Sequence, residues 1–250
     1  KHPDLYTNTL LKEKHTYRVC REIQALGRSL GLTERDLCIA EVMALFHDIG
    51  RFEQYARYKT FMDSASINHA ELGVAILKKK CVLHQFEEED LILRCIACHN
   101  RAALPDNETE EGLIFSRLLR DADKLDIWRV VIDYYNDRSE KRNNVIELGL
   151  PDTPGISDKV YDDLISGRIV QTRHLKNLND FKMLQVGWIY DLNFASSFQS
   201  VKKRGYMESI HDVLPQSKKI NMIFDRIKAY LDERSSSPED MRDIIDPVRR

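Results

Sequence analysis

Leu45-Phe46-His47-Asp48-Ile49-Gly50-Arg51 sets an imidazole and a carboxylate side by side where an apolar stretch stops. Upstream, Thr33 stands as an N-cap with Asp36 at N3, and Leu37, Ile39, Ala40, Val42, Met43, Ala44, Leu45 and Phe46 follow. This pattern predicts a helix buried on most sides. Gly50 is expected to supply the left-handed residue that ends it. A buried helix does not end on His and Asp unless both find partners, because an unpaired buried carboxylate is costly. Alone, the pair would read as a hydrogen bond closing a helix end.

Working outward, further histidines and acids fall in helical contexts. Leu5, Leu10, Leu11, Val19, Ile23, Leu26 and Leu30 recur at helical intervals up to Gly31, and His15 lies among them with Arg18 one turn on, free to face an anionic ligand. Arg51 to Ala65, with Phe52, Tyr55, Tyr58 and Phe61, reads as a loop or short helix. Ser66 is the expected cap of a helix to Lys80 that turns Ile67, Ala70, Val74 and Leu77 inward and carries His69 in its first turn. A helix from Glu87 to Ala97 leads to His99 and Asn100, and Pro105 marks a turn. Thr109 caps a long helix through Tyr135, on which Asp121, Asp123 and Asp126 compete for a ligand role. Spacing puts Asp123 and Asp126 on one face.

Asp137 to Gly155, with Pro151 and Pro154, reads as a charged connector, and helices are expected over Ser157–Ser166, Asp180–Phe198 and Ser217–Leu231. His174 and His211 have no acidic or thiol neighbours in sequence and read as surface or packing residues; His84 sits among exposed acids.

With 38 Lys+Arg against 40 Asp+Glu, the net charge of -2 gives no argument for a nucleic-acid or membrane partner. No apolar run is long enough to span a bilayer and no signal-peptide pattern opens the sequence, so the expected compartment is the cytoplasm. The odd set Cys20, Cys38, Cys81, Cys95 and Cys98 fits reduced thiols. Cys95-Ile96-Ala97-Cys98-His99 spells a haem-attachment pattern, but that chemistry needs export, and on a helix the two cysteines read as small core residues.

The ordered set His15, His47-Asp48, His69, His99 and Asp123, with His47-Asp48-Ile49-Gly50 intact and Asp121-Ala122-Asp123-Lys124-Leu125-Asp126 behind it, resembles the HD-domain superfamily of metal-dependent phosphohydrolases. The resemblance runs from about Leu5 to about Tyr135, and Trp188 to Leu214 resembles the helical extension of some bacterial members. It implies an all-α HD-domain helical bundle over 1–136, with additional C-terminal helices over 137–250 packed on it; the residues from about Asp232 read by themselves as a charged tail. It also implies that His15, His47, Asp48 and Asp123 hold one divalent metal ion, and that His69 and His99 extend the site to a second with Asp48 as the bridge. Imidazole and carboxylate donors without a thiolate suit Mn, Fe, Ni, Co, Zn or Mg. Asp48, His69 and His99 are then the catalytic candidates, and Arg18, Arg51, Arg101, Asn100 and Lys124 the candidates for gripping a small phosphorylated substrate. The expected activity is hydrolysis of a small phosphate ester or nucleotide by a metal-activated water. A di-iron oxygenase using the same six ligands and a non-catalytic metal-binding regulatory module are the alternatives.

Overall fold

A computed structural model describes residues 3–137, 143 and 146–236. The elements in chain order are α1 (Pro3–Ser29), α2 (Glu34–Phe46), α3 (Ile49–Tyr58), α4 (His69–Lys80), α5 (Glu89–Cys98), α6 (Glu110–Asn136), α7 (Asp158–Ile165), α8 (Leu178–Gly187), α9 (Ala195–Arg204), α10 (Tyr206–Asp212) and α11 (Lys218–Ser236), with 3₁₀ turns at Asp63–Ala65, Thr172–His174 and Trp188–Asp191. No strand occurs among the described residues, so the fold is all-α. Two compact units divide inside α6, the first running up to Asp126 and the second from Ile127 on.

Local chemistry sets the helix starts. Thr33 and Asp36 form the expected capping box on α2, Thr109 Oγ1 accepts from Gly112 N on α6, and Ser217 Oγ accepts from Ile220 N on α11. The start of α4 differs from expectation: Asn68, not Ser66, caps it, its side chain accepting from Ala70 N and Glu71 N. Ser66 instead accepts from Gln54, and Ile67 is exposed rather than inward.

In the first unit α1 packs on α2 and α3, α4 on α3 and α5, and α5 on α2. Val19, Ile23, Leu37, Met43, Ala70, Leu77, Ile92 and Ile96 fill the core. The α2 helix buries Leu37, Ile39, Ala40, Met43 and Ala44, but Leu45 is 39% exposed, because the packing partners cover only part of its apolar surface. Gly50 does not end a helix. It lies in the first turn of α3, and a Cβ there would meet His69 O at 2.1 Å and Gly73 N at 2.7 Å. Its smallness lets the start of α3 touch the start of α4. Residues 51–58 accordingly continue as helix, and the loop proper begins at Lys59, which takes a left-handed conformation.

In the second unit α11 packs on α7 and α9. Trp128, Phe194, Phe198, Ile220, Ile223 and Ile227 are fully buried. The helix expected over 180–198 is broken into α8, a 3₁₀ turn and α9: Leu192 is extended, and Asn193 donates its side-chain amide to Asp191 O, local bonding that competes with a helical ladder. Of the expected connector, 138–142 and 144–145 lie outside the described residues, as do 237–250 of the expected tail; the preceding residues 232–236 are helical.

Candidate metal centre

Since α2 ends at Phe46 and α3 begins at Ile49, His47 and Asp48 alone make the joint between them. The last carbonyls of a helix lack intrahelical partners. His47 uses one, its Nδ1 lying 2.7 Å from Ala44 O, and His99, at the matching position after α5, sets Nδ1 2.7 Å from Ile96 O. His15 on α1 places Nδ1 2.7 Å from Asp126 Oδ2, and His69, first residue of α4, places Nδ1 2.7 Å from Asp63 Oδ2. All four partners are acceptors, so in the neutral ring each Nδ1 is assigned the proton and each Nε2 keeps a lone pair.

Those four Nε2 atoms converge on Asp48. Its Oδ2 lies 3.6 Å from His15 Nε2 and 3.6 Å from His47 Nε2, while Oδ1 lies 3.3 Å from His69 Nε2 and 3.9 Å from His99 Nε2. Asp123 Oδ1 stands 3.0 Å from His15 Nε2 and 3.6 Å from His47 Nε2. The structure thus brings together the six residues singled out in the sequence, and three groups, His15/His47/Asp48, His47/His99/Asp123 and Asp48/His69/His99, each have ligand atoms within 4.8 Å of one another.

Burial alone would raise the Asp48 carboxyl, but Lys12, His47, Arg51 and His69 hold it well below the usual carboxylate range. Burial would likewise raise Asp123, and His15 and His47 hold it down. Burial, with His69 and His47 as neighbours, pushes His99 down to about 3. Burial also favours a lower value for His47, yet Asp48 and Asp123 overcome it and raise the imidazole.

The donor set fits a divalent cation. His15 Nε2, His47 Nε2 and Asp123 Oδ1 are buried without a hydrogen-bond partner, a costly arrangement if nothing is bound. His69 Nε2 and His99 Nε2 face each other at 3.0 Å with their protons on the far nitrogens. The buried His/Asp cluster, without thiolate, is equipped for a borderline or hard ion.

Arg18 is tied to Asp126 at 2.5 and 3.0 Å. Arg51 binds Asp63 at 3.0 Å and Gln54 at 2.9 Å, with Nε 3.5 Å from Asp48 Oδ1. Asn100 donates to Asp63 and Asn68, each at 3.0 Å, and so sits beside the support of His69. Lys124 is buried and donates to Arg120 O at 3.4 Å, and Arg101 is exposed.

Sequence reading missed Lys12, whose Nζ lies 2.5 Å from Asp48 Oδ2, together with Asp63, Gln54 and the specific role of Asp126. Lys12 stands three residues before His15, a helical spacing that carries the signal; Asp63, in a turn, has none. The second unit's histidines belong to none of these groups. His174 does have an acid partner, Asp163 at 2.6 Å, brought by the fold, and His211 packs on Phe224 with ring centroids 4.3 Å apart. Cys95 and Cys98 are buried free thiols, and burial pushes Cys95 up to about 12.

No helix among the described residues is long and apolar enough to cross a membrane. Compared with known proteins, residues 13–128 match the family model described as HD domain. No curated protein and no solved structure matches the chain.

Proposed function

We propose that the chain, whose residues 13–128 match the HD-domain family model, is a divalent-metal-dependent phosphohydrolase acting on a small phosphate ester or nucleotide. The observation that carries this reading is the division of Asp48, one carboxylate oxygen toward His15 and His47 and the other toward His69 and His99. His15, His47, Asp48 and Asp123 would hold one ion, and His69, His99 and Asp48 a second. With ions bound, these residues would hold Lewis acids able to polarise a phosphoryl oxygen and to lower the pKa of a water toward neutrality.

The chain's own groups do the rest. The Nδ1–H bonds hold the four rings with Nε2 inward. Lys12 and Arg51 place positive charge beside Asp48, with the Phe61 ring 5.7 Å from Lys12 Nζ and 5.8 Å from Arg51 Cζ. This combination of cations and an aromatic wall suits a small anionic ester.

Chelated full-length protein, reloaded with Mn or Co under nitrogen and offered p-nitrophenyl phosphate and a panel of nucleotides, is expected to release phosphate or nitrophenol. Turnover confined to iron-loaded protein in air would overturn the hydrolase reading in favour of an oxygenase. Protein that takes up no metal would overturn the metal assignment as well.

A further inference from the structure

We propose that Asp63 is a positioning residue that holds His69 in the tautomer able to bind a cation, and that without it the His69–His99 pair closes on itself. The consequence for metal binding rests on the functional reading above; the tautomer claim does not.

Asp63 opens the 3₁₀ turn before α4. Its side chain keeps 30% exposure, yet it is not a solvated surface charge. His69 Nδ1 lies 2.9 Å from Oδ1 and 2.7 Å from Oδ2. Arg51 and Gln54 donate to Oδ1 at 3.0 and 2.8 Å, and Asn100 donates to Oδ2 at 3.0 Å. Gln54 also donates to Ser66 Oγ and Ile67 O, fastening the turn that carries Asp63. Asn100 shares Asn68 Oδ1, the cap of α4, so one network fixes the start of that helix and the ring on its first residue.

The four rings are supported unequally. His47 and His99 lean on backbone carbonyls, which side-chain replacement leaves in place. His15 leans on Asp126, which is fully buried and gripped by Arg18. Only His69 depends on a partly exposed side chain in a short turn. It also has an alternative bond within reach. If Nδ1 lost its acceptor and the proton moved to His69 Nε2, His99 Nε2, 3.0 Å away, would accept a hydrogen bond from it. That bond would consume both lone pairs. A carboxylate on Nδ1 keeps the proton on the far side and the pair open.

The test uses the full chain with ¹⁵N-labelled imidazoles. In chelator-treated wild type, long-range ¹H–¹⁵N spectra are expected to show His69 protonated on Nδ1. In Asp63→Ala the proton is expected on Nε2, with His15 and His47 unchanged. In cobalt titrations followed by visible absorption, Asp63→Ala is expected to weaken about 10- to 100-fold the binding event that His69→Ala removes, leaving any event that survives His69→Ala unchanged. Asp63→Asn keeps an acceptor of the same size; it should fold, hold the wild-type tautomer in part and weaken that event less, and it decides the matter should Asp63→Ala not fold. An unchanged Nδ1 proton in the variants overturns the proposal. Wild-type protein that binds no cobalt would sink the metal reading while the spectra still judge Asp63.

Discussion

Asp48 in the first unit and Asp180 in the second are both buried carboxylates, and their surroundings are opposite in kind. Asp180 sits in the first turn of α8 and accepts from Ser157 N at 2.7 Å, Ser157 Oγ at 2.6 Å and Lys176 N at 2.9 Å. Every neighbour is a donor, so the group ties two loops to a helix start and asks for nothing more. Asp48 has the Lys12 ammonium on one oxygen and four imidazole nitrogens around it that carry lone pairs. Burial of an acid therefore does not mark a site; an acid that gathers imidazole nitrogens without hydrogen-bond partners beside its cations does.

The sharpest way to break this contrast is to neutralise each acid. Asp48→Asn is expected to abolish metal uptake and to cut phosphate release by at least about a thousandfold, several kcal/mol of transition-state stabilisation. Asp180→Asn should leave metal content and turnover untouched but lower the melting temperature by several degrees, since an amide turns a donor toward donors at a cost of about 1–3 kcal/mol. Metal analysis and thermal denaturation of both variants check this, and loss of metal from Asp180→Asn would dissolve the distinction.

Gly50→Ala comes next. A methyl group at 2.1 Å from His69 O forces α3 and α4 apart, so a loss of about 1–3 kcal/mol in chemical denaturation, with weaker metal binding, is expected. Gly73→Ala, whose Cβ would meet Ile49 Cγ2 at 3.2 Å, should do the same more mildly. Equal effects would show that the joint is not what places His69 beside Asp48.

A smaller effect follows from titration of the chelator-treated protein. His99, pushed down to about 3 by burial, and His69, also lowered by burial, bind protons in the unfolded chain before they do in the folded one. Their contribution is complete above about pH 6.5 and is lost as pH falls toward the folded values. His47 is raised, so its contribution is complete below about pH 6.5 and is lost as pH rises through its folded value. Denaturation across pH 4–8 should therefore show a maximum near the ordinary imidazole range, and His99→Gln should flatten the acid limb. Smallest of all, His174→Ala and His211→Ala should cost about 1 kcal/mol or less and leave metal content unchanged. Metal loss from either would move the centre to the second unit.

Sequence by itself determined the all-α class, the helix starts at Thr33, Thr109 and Ser217, the helical setting of His15, His69 and Asp123, and the place of His47 and His99 at helix ends, because caps and apolar periodicity act within a turn or two of chain. Tertiary structure alone decided that Gly50 is a contact rather than a stop, that Leu45 faces outward, that 188–194 breaks the helix, and that Asp63, Asp126 and Lys12 stand on His69, His15 and Asp48. Asp126 meets His15 across 111 residues and Lys12 meets Asp48 across 36, separations at which no local pattern operates. Helix packing selects such pairs, and only after packing is it settled which lone pairs face a donor and which face one another.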